Sequence, residues 1–228
     1  SLGIKMSFMQ LYTVWLTLFS ISFTFLPLFV VSDWKKRGSA DGFSSVNFVL
    51  PVFMMSCWFK HGYLTNDNLN MLINGINLCL FAFYIAAFAF YQPKRKYLCV
   101  QLTSLVIALF TLFSYVNNKP AEAQPDSMGS IAAAAQVASL AGNVYDLKRA
   151  IFDLKTTEYI PASIQFGLFA LTIQWSIFAL IVGNSYMLVA NLAGLAVNLA
   201  TLATFVAYPP KTWKVPIFGV GGEEKKQK

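Results

Sequence analysis

Charge is scarce in this sequence. Only 12% of its 228 residues are Asp, Glu, Lys or Arg, about half the share of a soluble domain, which excludes a water-soluble globular class. The ten acidic residues, Asp33, Asp41, Asp67, Glu122, Asp126, Asp146, Asp153, Glu158, Glu223 and Glu224, all fall in polar stretches or at the ends of apolar ones. The lone histidine, His61, falls at the end of an apolar run and reads as interfacial. No ionisable group is therefore expected at mid-membrane depth. Proton- and sodium-coupled carriers usually place one there, so its absence argues for an uncoupled facilitator of a neutral solute. The three cysteines, Cys57, Cys79 and Cys99, form no CxxC or Cys/His spacing. They are expected to be free thiols, without metal, cofactor or disulfide. No Asn-X-Ser/Thr sequon occurs. The nucleophile, base and metal set of hydrolase or redox chemistry is also missing, so an enzyme is not expected.

What the chain has in quantity is apolar sequence, 57% of the total with 16% aromatic. Seven stretches read as membrane-spanning helices: 7–31, 44–63, 68–92, 97–116, 130–146, 160–181 and 185–207. The first is too long for a signal-peptide core. The fifth, SIAAAAQVASLAGNVYD, is rich in small residues and crosses only as part of a bundle. SDWKKRGSADG, QPKRK, NNKPAEAQPDSMG and KRAIFDLKTTEY read as polar connectors, YPPKTWKVP as the end of the last helix, and GVGGEEKKQK as a polar tail. Of the 17 basic residues, all but Lys5, Lys60 and Lys119 follow spans one, three and five or lie in the tail. That bias puts the N-terminus outside and the tail in the cytosol of a multi-pass membrane protein; it does not separate plasma membrane from endomembrane, of which the plasma membrane is the favoured expectation.

A repeat runs through these spans. Trp58 precedes Asn74 by 16 residues, and Trp175 precedes Asn191 by the same 16; the second pair is the first shifted by 117. The shift also carries Ser39-Ala40-Asp41 to Thr156-Thr157-Glu158. Spans one to three thus correspond to spans five to seven, and the fourth reverses the chain between them so that the two units run parallel, a known transporter plan. The expected class is all-α: two parallel three-helix bundles joined by an inversion helix. The expected boundaries are 1–93 for the first bundle, 94–129 for the linker helix and outer connector, 130–208 for the second bundle and 209–228 for the tail.

The duplicated pairs are the candidate site. Trp58 and Asn74 are each 8 residues from the turn at Asn66, which puts them at one depth, roughly 10 Å below it at about 1.5 Å per residue. Trp175 and Asn191 stand likewise about Gly183. An asparagine amide offers a donor and an acceptor to neighbouring hydroxyls, and an indole offers a flat apolar face to the C–H face of a sugar ring. A neutral polyol needs both and needs no charge. A single membrane Asn often serves as interhelical glue, and Trp15, Trp34 and Trp213 read as interfacial-belt residues; depth and duplication set the two pairs apart. Pro27, Pro51 and Pro161 lie in or at the ends of spans, where each removes a backbone hydrogen bond and offers a hinge.

KKRGSADGFSSVNFVLP…CWFKHGYLTNDNLNMLINGINL, its echo DLKTTEYIPASI…QWSIFALIVGNSYMLVANLAGL and the closing YPPKTWKVP resemble the SWEET family of sugar transporters. The resemblance covers nearly the whole chain, least informatively at the fourth span and its connector. It implies bidirectional, uncoupled passage of mono- or disaccharides by alternating access, with homo-oligomers common. The family's pocket asparagines match Asn74 and Asn191, and its sixth-helix tryptophan matches Trp175. In the second helix the family pattern points to Ser56, whereas the repeat points to Trp58; two residues are about 200° of helix rotation, so both cannot face one cavity. Of four hinge prolines, Pro27 and Pro161 match. The second-helix position is Asn47, with Pro51 one turn further in, and the fifth-helix position is Val144. The expected partners are a small neutral sugar and the bilayer, with no nucleic acid. A proton-coupled PQ-loop-type carrier should have an intramembrane carboxylate and a Pro-Gln pair, and a sorting receptor on this scaffold should have buried charges; the sequence offers none of these.

Overall fold

A computed structural model describes residues 8–40, 43, 45–158 and 160–222. Asp41 and the tail beyond 222, including Glu223, Glu224, Lys225, Lys226 and Lys228, lie outside the described residues. The described chain is helical: α1 (Phe8–Thr24), α2 (Pro27–Arg37), α3 (Val46–Thr65), α4 (Asn68–Tyr91), α5 (Lys96–Asn117), a 3-10 turn (Ala121–Ala123), α6 (Gln124–Ser139), α7 (Ala141–Lys148), a π-helical turn (Arg149–Leu154), α8 (Ala162–Val182) and α9 (Ser185–Ala207). These make seven spans in three-one-three order, with α1 and α2 as one broken span and α6 and α7 as another. Five spans are long and apolar enough to cross a membrane by length and composition. The chain divides into two compact units, 1–135 and 136–228.

In the first unit α3 and α4 form a tight hairpin against which α1, α2 and α5 pack. Leu16, Ser20 and Thr24 recur every fourth residue and form the buried stripe of α1. The span breaks after Thr24. Pro27 cannot donate a backbone hydrogen bond, and the chain passes through short bonds from Leu28 N to Phe25 O (3.0 Å) and Phe29 N to Leu26 O (3.1 Å) before α2 begins on the proline. Two polar side chains of α4 hold the break. The Thr24 hydroxyl shares its proton between the Ser20 carbonyl (3.0 Å) and the Asn77 side-chain oxygen (2.8 Å), and the Tyr84 hydroxyl donates to the Thr24 carbonyl at 2.8 Å.

The first span runs further than expected. Ser32–Arg37 are the last turns of α2, not loop. Lys35, Lys36 and Arg37 stabilise the negative helix end, and Gly38, at φ 68°, closes it in the left-handed conformation. Trp34 therefore lies in a helix rather than a loop. It is fully buried, edge-on to Phe43, Phe48 and Phe88. The fifth span also starts early, at Gln124-Pro125-Asp126, because proline and an acid suit a first helical turn.

The second unit is built around the α8–α9 hairpin. The fifth span parts at Leu140, between α6 and α7, without a proline: Val144 donates from its own N–H to Leu140 O at 3.0 Å. At the far end Thr157 N and Thr157 Oγ1 both donate to Tyr208 O at 2.9 Å, and the Thr156 hydroxyl donates to Pro209 O. Glu158 accepts from Lys211 N, Thr212 N and the Thr212 hydroxyl. Burial pushes the Glu158 carboxyl up, but these bonds and the Lys211 charge outweigh it and hold the group below the usual carboxylate range. Beyond them, Lys214–Gly222 is a folded hairpin where a polar tail was expected to begin. Val215 N bonds Val220 O, Val215 is buried, and the Phe218 ring stands edge-on to Phe166 of α8.

Candidate functional site: two amide–indole hairpins

The repeat survives in atomic detail. Asn66 and Gly183 both close their helices in the left-handed conformation, at φ 55° and 70°. Asp67 and Asn184 both cap the next helix, their side chains accepting from Asn70 N and Met187 N at 3.0 Å. Asp67 N to Gly62 O and Asn184 N to Ala179 O are both 2.9 Å, and Ala40 N to Tyr91 O (3.0 Å) returns as Thr157 N to Tyr208 O (2.9 Å). Each pair of partners differs by 117 residues.

The candidate residues obey the same register. Asn74 is buried and donates to the Asn70 carbonyl at 2.9 Å. Asn191 is buried and donates to the Met187 carbonyl at 2.8 Å. The Trp58 indole stands edge-on to His61 at 5.6 Å, and the Trp175 indole edge-on to Phe178 at 5.6 Å. Each unit therefore holds an asparagine one turn above a backbone carbonyl and an indole braced by a ring three residues on.

The two halves differ in their surroundings. Trp58 is buried, whereas Trp175 and Ser56 are half-buried. The Trp58 carbonyl also accepts from Asn70 Nδ2 at 3.2 Å, which ties α3 to α4 at the level of the indole. His61, read from its position as interfacial, is enclosed by protein: it is 3% exposed, packed on Trp58 with Nδ1 3.2 Å from Pro125 O. Among the described residues the buried polar side chains are Ser, Thr, Asn, Gln and this one His; none is a carboxylate, lysine or arginine.

The hinge candidates fall in different places. Pro27 opens α2 at the break, and Pro161 caps α8 in extended conformation. Pro51 sits inside a continuous α3, and the N–H it lacks is the one that would have bonded the carbonyl of exposed Asn47. Asn47 and Pro51 thus share one weakened turn. Val144 lies within α7, one turn beyond the break at Leu140.

Sequence reasoning passed over Asn70, Asn77, Thr24 and Tyr84. The i, i+4 spacing of Asn70 and Asn74 is the signal that marks the first. For the Tyr84–Thr24 contact, 60 residues apart, no local signal exists.

Comparison with known proteins follows this register. Residues 10–96 and 126–213 each match the family described as "Sugar efflux transporter for intercellular exchange", two matches offset by the repeat and leaving out most of α5. Sugar transporter SWEET1 of Drosophila pseudoobscura pseudoobscura is 24% identical over 78% of this chain and 80% of its own length, and SWEET1 of Mus musculus 23% over the same shares. Bidirectional sugar transporter SWEET13 of Oryza sativa subsp. japonica is 24% identical over 83% of this chain and 64% of its own. The solved structure of a eukaryotic SWEET transporter superposes with TM-score 0.77 at 16% identity, covering 87% of this chain and 95% of that one. With a doubled match over most of its length and a shared seven-helix fold, the chain belongs to the SWEET family of sugar transporters.

Proposed function

We propose that the protein is a bidirectional, uncoupled sugar uniporter that works by alternating access. The observation that carries this reading is the duplicated amide–indole hairpin in an interior without described carboxylate, lysine or arginine. Asn74 and Asn191 supply hydrogen bonds to sugar hydroxyls, and Trp175, with Trp58, supplies the stacking face. From α3 the repeat points to Trp58, which is buried, and half-buried Ser56 is the alternative contact. Without a titrating group among them, sugar movement follows its own gradient. The helix breaks at Pro27 and Leu140 are the flexing points, with the Asn47–Pro51 turn and Pro161 assisting. The basic flanks of spans one, three and five support an outer N-terminus and a cytosolic tail.

Flux of radiolabelled glucose and sucrose into and out of proteoliposomes, with and without a pH gradient, tests this. The expected result is movement in both directions at rates the gradient does not change. Flux that requires the gradient makes the protein a proton-coupled carrier.

A further inference from the structure

The two asparagines are matched in position but not in what they present to a ligand. The assignment of their amides follows from backbone carbonyls, which only accept. Asn70 lies 3.2 Å from the Trp58 carbonyl, so the atom there is Nδ2 and the other side-chain atom is the acceptor Oδ1. Asn74 lies 2.9 Å from the Asn70 carbonyl, so that atom is again Nδ2, and the same Nδ2 is 2.6 Å from Asn70 Oδ1. An amide NH2 has two protons. Asn70 accepts both, one on its main chain and one on its side chain, and what Asn74 has left is its oxygen. In the second unit Met187 stands where Asn70 stands. Asn191 donates to the Met187 carbonyl at 2.8 Å, and among the described residues no side-chain acceptor takes its second proton. Asn70 is 2% exposed and anchored on Trp58, so this arrangement is held rather than sampled.

We infer that Asn70 is a specificity-determining positioning residue: it makes Asn74 an acceptor-only contact that requires a donated hydroxyl proton from the sugar, while Asn191 both donates and accepts. This rests on the reading that Asn74 and Asn191 line the sugar site. It gives a duplicated site a means to tell one end of a sugar from the other. Two identical amides would make the same demand on a hydroxyl-rich ring, whereas an acceptor-only amide and a donor–acceptor amide make different ones.

The test is flux in proteoliposomes of the sugar carried, glucose or sucrose, against its deoxy and deoxyfluoro analogues at each ring position. Fluorine keeps the size and a weak acceptor but cannot donate. In the wild type one fluoro analogue should move about tenfold slower than the parent sugar, no better than the deoxy analogue, as expected when a buried acceptor loses its donor. Asn70→Met, the second unit's own residue, should release an Asn74 N–H and restore that fluoro analogue selectively. Met187→Asn, the reciprocal change, should impose a new donor requirement at a different hydroxyl. An independent measurement needs no sugar: thermal unfolding of Asn70→Met, Asn74→Leu and the double variant should be non-additive. Additive effects, or an analogue pattern unchanged in both Asn70→Met and Met187→Asn, overturn the inference and leave sugar transport standing. A wild type that moves neither sugar fails the transport reading and takes this role down with it.

Discussion

The Tyr84 hydroxyl on α4 donates at 2.8 Å to the Thr24 carbonyl, the last of α1. In an unbroken helix that carbonyl would accept from Leu28 N, which here bonds Phe25 O instead. Tyr84 therefore satisfies the group that the proline break orphans. Both residues are buried, so the bond has no water to replace it. Tyr84→Phe should cost about 1–3 kcal/mol and lower the unfolding midpoint in detergent by several degrees. Adding Pro27→Ala, which allows the helix to continue, should reduce that loss, so the two changes are less than additive.

The second unit has no such pair: the residues matching Thr24, Asn77 and Tyr84 are Ala141, Gly194 and Thr201, and the Thr201 hydroxyl bonds its own helix at Val197 O. Pro27→Ala is expected to slow exchange in a flux assay. If the turn shared by Asn47 and Pro51 replaces the missing second-helix proline, Pro51→Ala slows it as well; unchanged kinetics in Pro51→Ala beside a slowed Pro27→Ala removes Pro51 from the hinge.

Asn74→Ala, Asn191→Ala and Trp175→Ala should each reduce sugar flux about tenfold or more, since each removes a contact proposed to hold the ring, without a matching loss of folded protein by size-exclusion chromatography. Flux at the wild-type level in both asparagine variants would move the site elsewhere.

Much of this was legible in the sequence because it is local. The turns at Asn66 and Gly183 depend on neighbours within a few residues, and the 117-residue register is read by matching those local patterns. Two misjudged boundaries share a cause. The KKR run and the QPD run look like loops by polarity, yet cations end helices and Pro with Asp starts them. The burial of Trp34 and His61 was not legible for another reason. An indole and an imidazole suit the interface on average, and only long-range packing, Phe88 on Trp34 and Pro125 on His61, draws them inside.

Glu158 predicts a pH dependence. Its folded-state pKa is lowered from 4.5, so its stabilising effect is complete above that value and is lost as pH falls through the folded pKa. Scanning the unfolding midpoint from pH 7 downward should show a fall below about pH 4.5 that is smaller in Glu158→Gln. Equal falls would mean that the clasp on Lys211 and Thr212 carries no acid sensitivity.

Gly221 predicts a local failure. A Cβ there would lie 2.6 Å from Pro210 O and 2.7 Å from Trp213 O, at φ 94°. Gly221→Ala should open the hairpin and expose the Lys211 and Lys214 peptide bonds to trypsin. Gly219→Ala, at φ 68° with nothing within 4 Å, should be cut far less.

The line from Trp58 through Asn70 to Asn74 closes within 17 residues, across a single turn. Its counterpart pair, Trp175 and Asn191, spans as short a stretch. The hydrogen bonds that orient Asn74 thus need only α3, α4 and the turn between them, and N-terminal elements generally form first during synthesis. Because what orients Asn74 lies in its own hairpin, a lesion in the second hairpin should leave that first amide in place.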